Sequence, residues 1–378
     1  MRSNGWHRFP LALSAVAAVM LALAACAPAA SPAAQPAAAP AKPAATSAPG
    51  AAAAPAATSA PAAAAATAAP AAANNGPVVT VRLGDVVTED NPEYKAHQFF
   101  AKRLSELTNG KYQVKMFMNS TLGGATQMNE QLRSGSLEMS KSGAAFLSTY
   151  DKRFSIWSLP YMFTTEQKLF AAQDGALGDA YDKVAQQYGF KVLGIYYSGD
   201  RDIYNKKGPI KTPDDLKNMK IRLRTMPDPV MIDTINAMGA QATPLEAGEI
   251  YNAIQQGVVD GAENSVTFYL TQKHNEVAPY FSLTHHFFSI DPLLVSLKWF
   301  NAQPADAQKA IVQAGKETIP MERKVWDEGD AANYVVAKNA GVKINEADVP
   351  AFQKAVQPVW DKYGPGMGEL YTILKQSQ

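Results

Sequence analysis

The chain has 378 residues and a formal net charge of +1, with 47% hydrophobic and 18% charged residues. This balance indicates no basic patch or acidic tail, so we expect no nucleic-acid partner. The length suffices for two domains once the ends are set aside. The single cysteine, Cys26, excludes an intrachain disulfide and any metal site built from several cysteines.

Residues 1–25 have the pattern of a signal peptide. Arg2 and Arg8 give a basic start, and the apolar stretch from Leu11 to Ala25 is too short to span a bilayer comfortably. The stretch ends in Leu-Ala-Ala-Cys, which resembles a bacterial lipobox. That resemblance implies cleavage before Cys26 and attachment of diacylglycerol to its thiol. The alternative is ordinary cleavage at a small-residue site, with Cys26 incidental.

Residues 26–77 are predicted to be the lipid-anchor cysteine followed by a tether. From Ala27 to Pro77 the chain is Ala, Pro, Ser and Thr with almost no charge, a composition that favours an extended, partly polyproline segment. At about 3 Å per residue, roughly fifty residues reach on the order of 150 Å. We therefore expect an extracytoplasmic protein, anchored by lipid in the periplasm or at the outer face of the cell membrane.

The folded body is predicted to begin near Val78 and to have the α/β class. Its first part alternates strands and helices in the order β-α-β-α-β, which is typical of a largely parallel sheet. The pattern predicts strands over Val79 to Leu83, Tyr112 to Met118 and Phe190 to Tyr197, a helix capped by Asn91-Pro92 and another over Ala125 to Arg133. Residues 154–163 are predicted to form an apolar loop.

In the second part of the body, the segment from Met219 to Ser265 has the same predicted order of strands and helices. Asp228-Pro229 starts a helix, and Gly257 ends a second helix that begins at Glu246. The segment Gly199 to Tyr204 links the two parts. Strands over Tyr280 to Ser289 and Leu293 to Leu297 are predicted to return to the first part, and a long helix follows Pro304. The predicted lobes are residues 78–198 plus 290–329 and residues 199–289 plus 330–378.

Several blocks, in this order, resemble TRAP-transporter solute-binding proteins, the DctP-type receptors. They are SELTNGKYQVKMFMNSTLGG, SIWSLPYMF, DRDIYNKKGPIKTPDDLKNMKIR, MKIRLRTMPDPV, MGAQATPLEAGEIYNAIQQGVVDGAEN and KHNEVAPYFSL. The resemblance implies a two-lobed periplasmic-binding-protein-like fold with mixed β-sheets, hinge segments and a long helix spanning both lobes. It implies a receptor without a cofactor, not an enzyme, that closes over a small organic acid and delivers it to a sodium-driven membrane permease.

The resemblance also implies ligand-binding residues. The family has an arginine at the end of a strand, where a planar guanidinium offers two parallel donors to the ligand carboxylate. Counting forward along the signature favours Arg222 for this place, and counting back from Asn264 favours Arg224. We expect Arg224, because the downstream block is longer, and keep Arg222 as the alternative. Asn264 matches the family asparagine that binds the same carboxylate, and Arg201 matches a further arginine in the inter-lobe linker.

Four other residues are candidates for the cleft wall. Phe146, Trp157 and Phe268 are expected there, although such side chains more often form the core. Glu246 stands where an apolar or aromatic residue is common in the family, so this wall is expected to be more open and more acidic.

Metal and catalytic sites find little support in the sequence. The pair His285-His286 would point to opposite faces of a strand and has no third ligand at a suitable spacing, so we expect no metal site. The sequence has no nucleophile-elbow, P-loop, zinc-protease or dinucleotide motif. Two other functions stay open at this point: a sensory receptor that signals to a membrane kinase, and an extracytoplasmic hydrolase.

Overall fold

The computed structural model describes residues 76–219 and 221–378. The predicted signal peptide, Cys26 and residues 27–75 of the predicted tether lie outside the described residues. The strands are β1 (Val79–Gly84), β2 (Tyr112–Phe117), β3 (Met139–Lys141), β4 (Phe190–Asn205), β5 (Arg222–Thr225), β6 (Gln241–Pro244), β7 (Gly261–Asn264), β8 (Tyr280–Ser296) and β9 (Lys343–Glu346). The helices are α1 (Glu93–Leu107), α2 (Ala125–Ser134), α3 (Glu166–Asp174), α4 (Ala176–Gln187), α5 (Pro213–Asn218), α6 (Pro229–Ala237), α7 (Ile250–Gln256), α8 (Val266–Thr271), α9 (Leu297–Asn301), α10 (Ala305–Asn339), α11 (Val349–Tyr363) and α12 (Glu369–Ser377).

These strands form one mixed sheet in the order β2-β1-β3-β8-β4-β7-β5-β6, with β9 paired to β8. Strands β2, β1 and β3 are parallel on one side, and β7, β5 and β6 are parallel on the other. The long antiparallel pair β4 and β8 lies between them. The predicted α/β class with a mixed sheet is confirmed, and the two parallel halves are joined by strands that belong to both.

The two joining strands are longer than the sequence predicted. Strand β4 does not end at Tyr197, because Gly199 adopts a φ of +84° and a bulge there lets the pairing with β8 resume at Asp200. Strand β8 does not break near Pro292, because the residues on both sides of this proline stay paired with β4. A single missing amide donor therefore does not end the strand.

The predicted helix caps form, and they set where helices α1 and α6 begin. Asn91 Oδ1 accepts a hydrogen bond from the amide of Glu93 at 3.0 Å, which starts α1, and Asp228 Oδ1 accepts one from the amide of Val230 at 2.7 Å, which starts α6. Gly257 ends α7 with a φ of +78°. The predicted apolar loop at residues 154–163 is wrong in part, since Lys152–Ser158 forms a 3₁₀ helix capped by Asp151.

The predicted long helix is α10, with 35 residues. At about 1.5 Å per residue it extends roughly 52 Å, and it packs against α1 in one half and α8 in the other. The C-terminal helices pack elsewhere, α11 against α6 and α12 against α3 and α4. The predicted lobe boundaries stay a prediction. Within the described part of the chain, no helix has the length and apolar character needed to cross a membrane.

Gly199 has a left-handed backbone conformation, and the side chains of Ser265 and Trp326 pack closely against it. A Cβ atom at this position would lie 2.9 Å from Ser265 Cβ and 2.9 Å from Trp326 Nε1. We therefore expect Gly199→Ala to lower the free energy of unfolding by about 2 to 4 kcal/mol, the sum of backbone strain and the displaced neighbours. Urea denaturation measures this loss.

Gly341 provides the matched control for this substitution. Its φ is +79°, and a Cβ atom added there would have no other atom within 4 Å. Gly341→Ala should therefore show the backbone cost alone, about 1 kcal/mol. Equal losses in the two variants would contradict a role for the close approach at Gly199.

Candidate functional site

A cleft lies between the two halves of the sheet and encloses about 560 Å³ of space, part of it open to solvent. Its polar lining separates into two groups. Arg201, Arg224, Asn264 and Ser289 form the cationic end, and Glu93, Lys141, Ser198 and Asp291 form the acidic end.

Arg224 lines this cleft, and part of its guanidinium has no hydrogen-bond partner among the described residues. The residue is only 2% exposed, and its Nε donates to the carbonyl of Leu245 at 2.8 Å. Among the described residues its two Nη atoms have no hydrogen-bond partner. Burial, together with repulsion from Arg201, lowers the pKa of Arg224 to about 10. The side chain is therefore a buried cation at neutral pH, with donors directed to the cleft it lines.

Arg201 lies beside it but is already neutralised. Its Nε donates to Glu263 at 2.5 Å, and its Nη1 donates to Asn264 Oδ1 and to Ser289 Oγ, both at 3.2 Å. Burial opposes charge on both partners, but their attraction prevails: the pKa of Arg201 is raised and that of Glu263 is lowered to about 2. Two guanidinium groups share the Glu263 carboxylate at this end, and among the described residues only Arg201 forms an ion pair with it, while Arg224 feels it from a greater distance.

Asn264 completes the cationic end. Its Oδ1 accepts from Arg201 and from the amide of Ser265 at 2.9 Å. Its Nδ2 has no partner within the described part of the chain. An amide donor and the free donors of Arg224 thus line the same cleft.

Arg222, the alternative to Arg224, does not line the cleft. Its guanidinium donates to Asp260 at 3.1 and 3.0 Å and to the carbonyl of Gly257 at 2.8 Å, and its side chain is 39% exposed. The Asp260 carboxylate also accepts from the amide of Arg222 at 2.9 Å. This pairing holds the Arg222 side chain at the protein surface, whereas Arg224, two residues later on the same strand, lines the cleft.

The acidic end was not predicted from the sequence. The Lys141 ammonium lies 2.7 Å from Glu93, 3.2 Å from Asp291 and 3.4 Å from Asp85. Burial alone would lower the pKa of Lys141, but these carboxylates raise it well above the usual value. Ser198 Oγ donates to Asp291 at 2.9 Å and contacts Glu93. One usable signal was Asp291, a lone acid within an apolar strand, since such residues are rarely buried without a partner.

Three residues of this end have the geometry of metal ligands. Asp85, Glu93 and His97 offer atoms that lie within 4.8 Å of one another. His97 Nε2 is 2.8 Å from Asp85 Oδ2, and the ammonium of Lys141 already provides a cation to both carboxylates. The residues fit an internal ion-pair network, and the expectation of no metal stays a prediction.

Of the four residues expected in the cleft wall, two line the cleft and two do not. Phe146 and Phe268 line the cleft. Trp157 is buried in the core, where its ring meets that of Tyr181 at a centroid distance of 5.9 Å, and it does not line the cleft. Glu246 also lies outside the lining, and its Oε1 accepts from Thr126 Oγ1 at 2.6 Å. This bond joins the segment before α7 to the first turn of α2, across the cleft.

Comparison with known proteins identifies the family. The model of the bacterial extracellular solute-binding proteins, family 7, matches residues 83–365. A solute-binding protein of Chromohalobacter salexigens is 32% identical over 321 residues, which are 82% of this chain and 95% of the relative.

Two solved structures share the fold. A TRAP periplasmic solute-binding protein from Sulfitobacter, with bound β-D-galacturonate, has a TM-score of 0.76 and 32% identity over 79% of this chain and 100% of its own. The sugar acid binding protein of Advenella mimigardefordensis, in complex with galactonate, has a TM-score of 0.76 and 28% identity over 80% of this chain and 99% of its own.

The two-lobed fold predicted from the resemblance is confirmed by these neighbours. Proteins of this family bind solutes outside the cytoplasm and are receptors, so the hydrolase alternative is set aside. The chain belongs to family 7 of the bacterial extracellular solute-binding proteins, the DctP-type receptors of TRAP transporters.

Proposed function

We propose that this receptor binds a sugar acid such as galacturonate or galactonate, with the ligand carboxylate on Arg224 and Asn264. The observation that carries the proposal is the buried guanidinium of Arg224, whose Nη atoms have no hydrogen-bond partner within the described part of the chain. The sugar acids bound in the Sulfitobacter and Advenella structures support the same chemistry.

A carboxylate is the natural complement of this end of the cleft. An anion leaving water must be compensated by charge and by hydrogen bonds, and Arg224 with Asn264 Nδ2 offers both. Arg201 would add a second guanidinium, already oriented by Glu263. The ligand would replace solvent around the buried cation and thereby stabilise the closed receptor.

The contact between Glu246 and Thr126 supports closure of the two sides over the ligand. Glu246 Oε2 would lie 2.9 Å from a Cβ at Gly124, so the carboxylate sits at the N-terminus of α2, where the helix dipole favours negative charge. Helix α2 has no side-chain cap of its own. A bond of this kind forms only when the two sides meet, so it favours the closed state.

Arg224→Ala tests carboxylate recognition. Each charge-assisted hydrogen bond contributes about 1.5 to 3 kcal/mol, so we expect this variant to lose at least about 100-fold in affinity for galacturonate. Isothermal titration calorimetry on residues 78–378 measures the change.

Arg222→Ala is the matched control on the same strand. Because Arg222 is bound to Asp260 outside the cleft, its loss should change the affinity by no more than about threefold, within the small effect of surface ion pairs. Normal binding by Arg224→Ala together with loss in Arg222→Ala would reverse the assignment.

Thr126→Val tests the bond across the cleft. Removing this hydroxyl should weaken galacturonate binding by about threefold to tenfold, since the closed state loses one hydrogen bond and the open state loses none. Thr121→Val, in the exposed turn before α2, is the control and should bind normally. Identical affinities for both variants would show that the bond does not bias closure.

We further propose that the receptor is lipid-anchored through Cys26 and delivers its ligand to a sodium-driven TRAP permease. In cells that also carry the TRAP membrane subunits, the wild-type protein should fractionate with membranes and support sodium-dependent galacturonate uptake. Cys26→Ala should appear in the soluble fraction, because two or more acyl chains are needed for stable anchoring. Equal fractionation of both proteins would refute the anchor, and binding without uptake would favour the sensory alternative.

A further inference from the structure

We infer that the cleft selects polyhydroxy monocarboxylates and rejects the corresponding dicarboxylates, because the end opposite Arg224 is a buried acidic site for hydroxyl groups. This inference rests on the proposed function and extends it from the carboxylate of the ligand to the rest of the molecule. It depends on the charges, the unpaired donors and the spacing of the acidic end.

The acidic end brings three carboxylates to one ammonium, and the His97 imidazole lies against one of the carboxylates, that of Asp85. Asp85, Glu93 and Asp291 surround one ammonium, that of Lys141, within 3.4 Å. Burial raises the pKa of Glu93, yet even with Glu93 neutral two carboxylates face one ammonium. All four residues are less than a tenth exposed, so solvent screens this charge poorly. A second carboxylate on the ligand would be repelled here.

Unpaired polar groups at this end point to a ligand that both donates and accepts. Ser142 Oγ and Trp326 Nε1 line the cleft, are each 2% exposed and have no hydrogen-bond partner among the described residues. Trp326 can only donate, whereas Glu93 and Asp291 accept when ionised. A sugar hydroxyl can accept a hydrogen bond from Trp326 and donate one to Glu93 or Asp291. A carboxylate accepts only, and therefore cannot satisfy the acids.

Strand β8 carries one residue of each end of the cleft. Ser289, which accepts from Arg201, and Asp291, which contacts Lys141, both line the cleft from strand β8. Two residues along a strand span roughly 6.6 Å. Because Arg224, Asp291 and Glu93 line one cleft, a ligand with its carboxylate on Arg224 would extend toward Asp291 and Glu93. In a six-carbon dicarboxylate, that far end carries the second charge.

The test compares galacturonate with galactarate, the dicarboxylate in which the far carbon is oxidised, by calorimetry on residues 78–378 at pH 7.5. We expect galacturonate to bind at least about 100-fold more tightly, because a like charge in a buried site costs several kcal/mol. Asp291→Asn removes one of the repelling charges and should reduce this ratio by at least about tenfold. Asp214→Asn, an exposed acid on α5, should leave the ratio unchanged.

The outcomes separate the two proposals. Binding of neither compound, or of no other sugar acid, overturns the proposed function and this inference with it. Tight binding of galacturonate and galactarate alike keeps the proposed function and overturns the inference. If Asp291→Asn fails to fold, Glu93→Gln takes its place, and the ratio measured on the wild-type protein decides the question by itself.

Discussion

The proposed binding site is organised around one buried cation, the guanidinium of Arg224. A charge removed from water is costly unless an opposite charge or hydrogen bonds compensate it, and Arg224 has one hydrogen bond through Nε. Its neighbour Arg201 forms a direct ion pair with Glu263, a contact that Arg224 lacks among the described residues. This difference between the two arginines is the basis of the proposed carboxylate site.

The fold supports this arrangement by drawing side chains from both halves of the sheet. Strands β4 and β8 contribute Arg201 and Ser289, while β5 and β7 contribute Arg224 and Asn264. The bulge at Gly199 changes the register within β4, so that Ser198 and Arg201 line the same cleft although three positions separate them. In the proposed receptor, the strands that join the two halves also carry binding residues, so ligand contacts would be coupled to the relative position of the two sides.

Much of the fold followed from local patterns. The caps at Asn91 and Asp228 and the helix end at Gly257 were predicted correctly, because each rests on a few neighbouring residues. The continuity of β4 and β8 was missed, because glycine and proline usually interrupt a strand and only the pairing of distant residues shows that they do not. Family resemblance supplied the two-lobed architecture, which no local pattern contains.

The sequence proposed the residues of the cationic end of the cleft, and it did not point to those of the acidic end. Arg224 and Asn264 were found through the resemblance, whereas the choice against Arg222 depends on Asp260, a contact across 38 positions of sequence. Lys141, Glu93 and Asp291 come from three distant elements, and only their contact in the fold reveals the cluster. Trp157 was expected in the cleft wall but lies in the core, because an aromatic residue gives the same sequence pattern in both places.

The most direct test of the central claim is a crystal structure of residues 78–378 with bound galacturonate. We expect the ligand carboxylate within hydrogen-bond distance of the Arg224 guanidinium and Asn264 Nδ2, with the sugar hydroxyls toward Glu93 and Asp291. A carboxylate bound at Lys141, with Arg224 left without an anion, would contradict it.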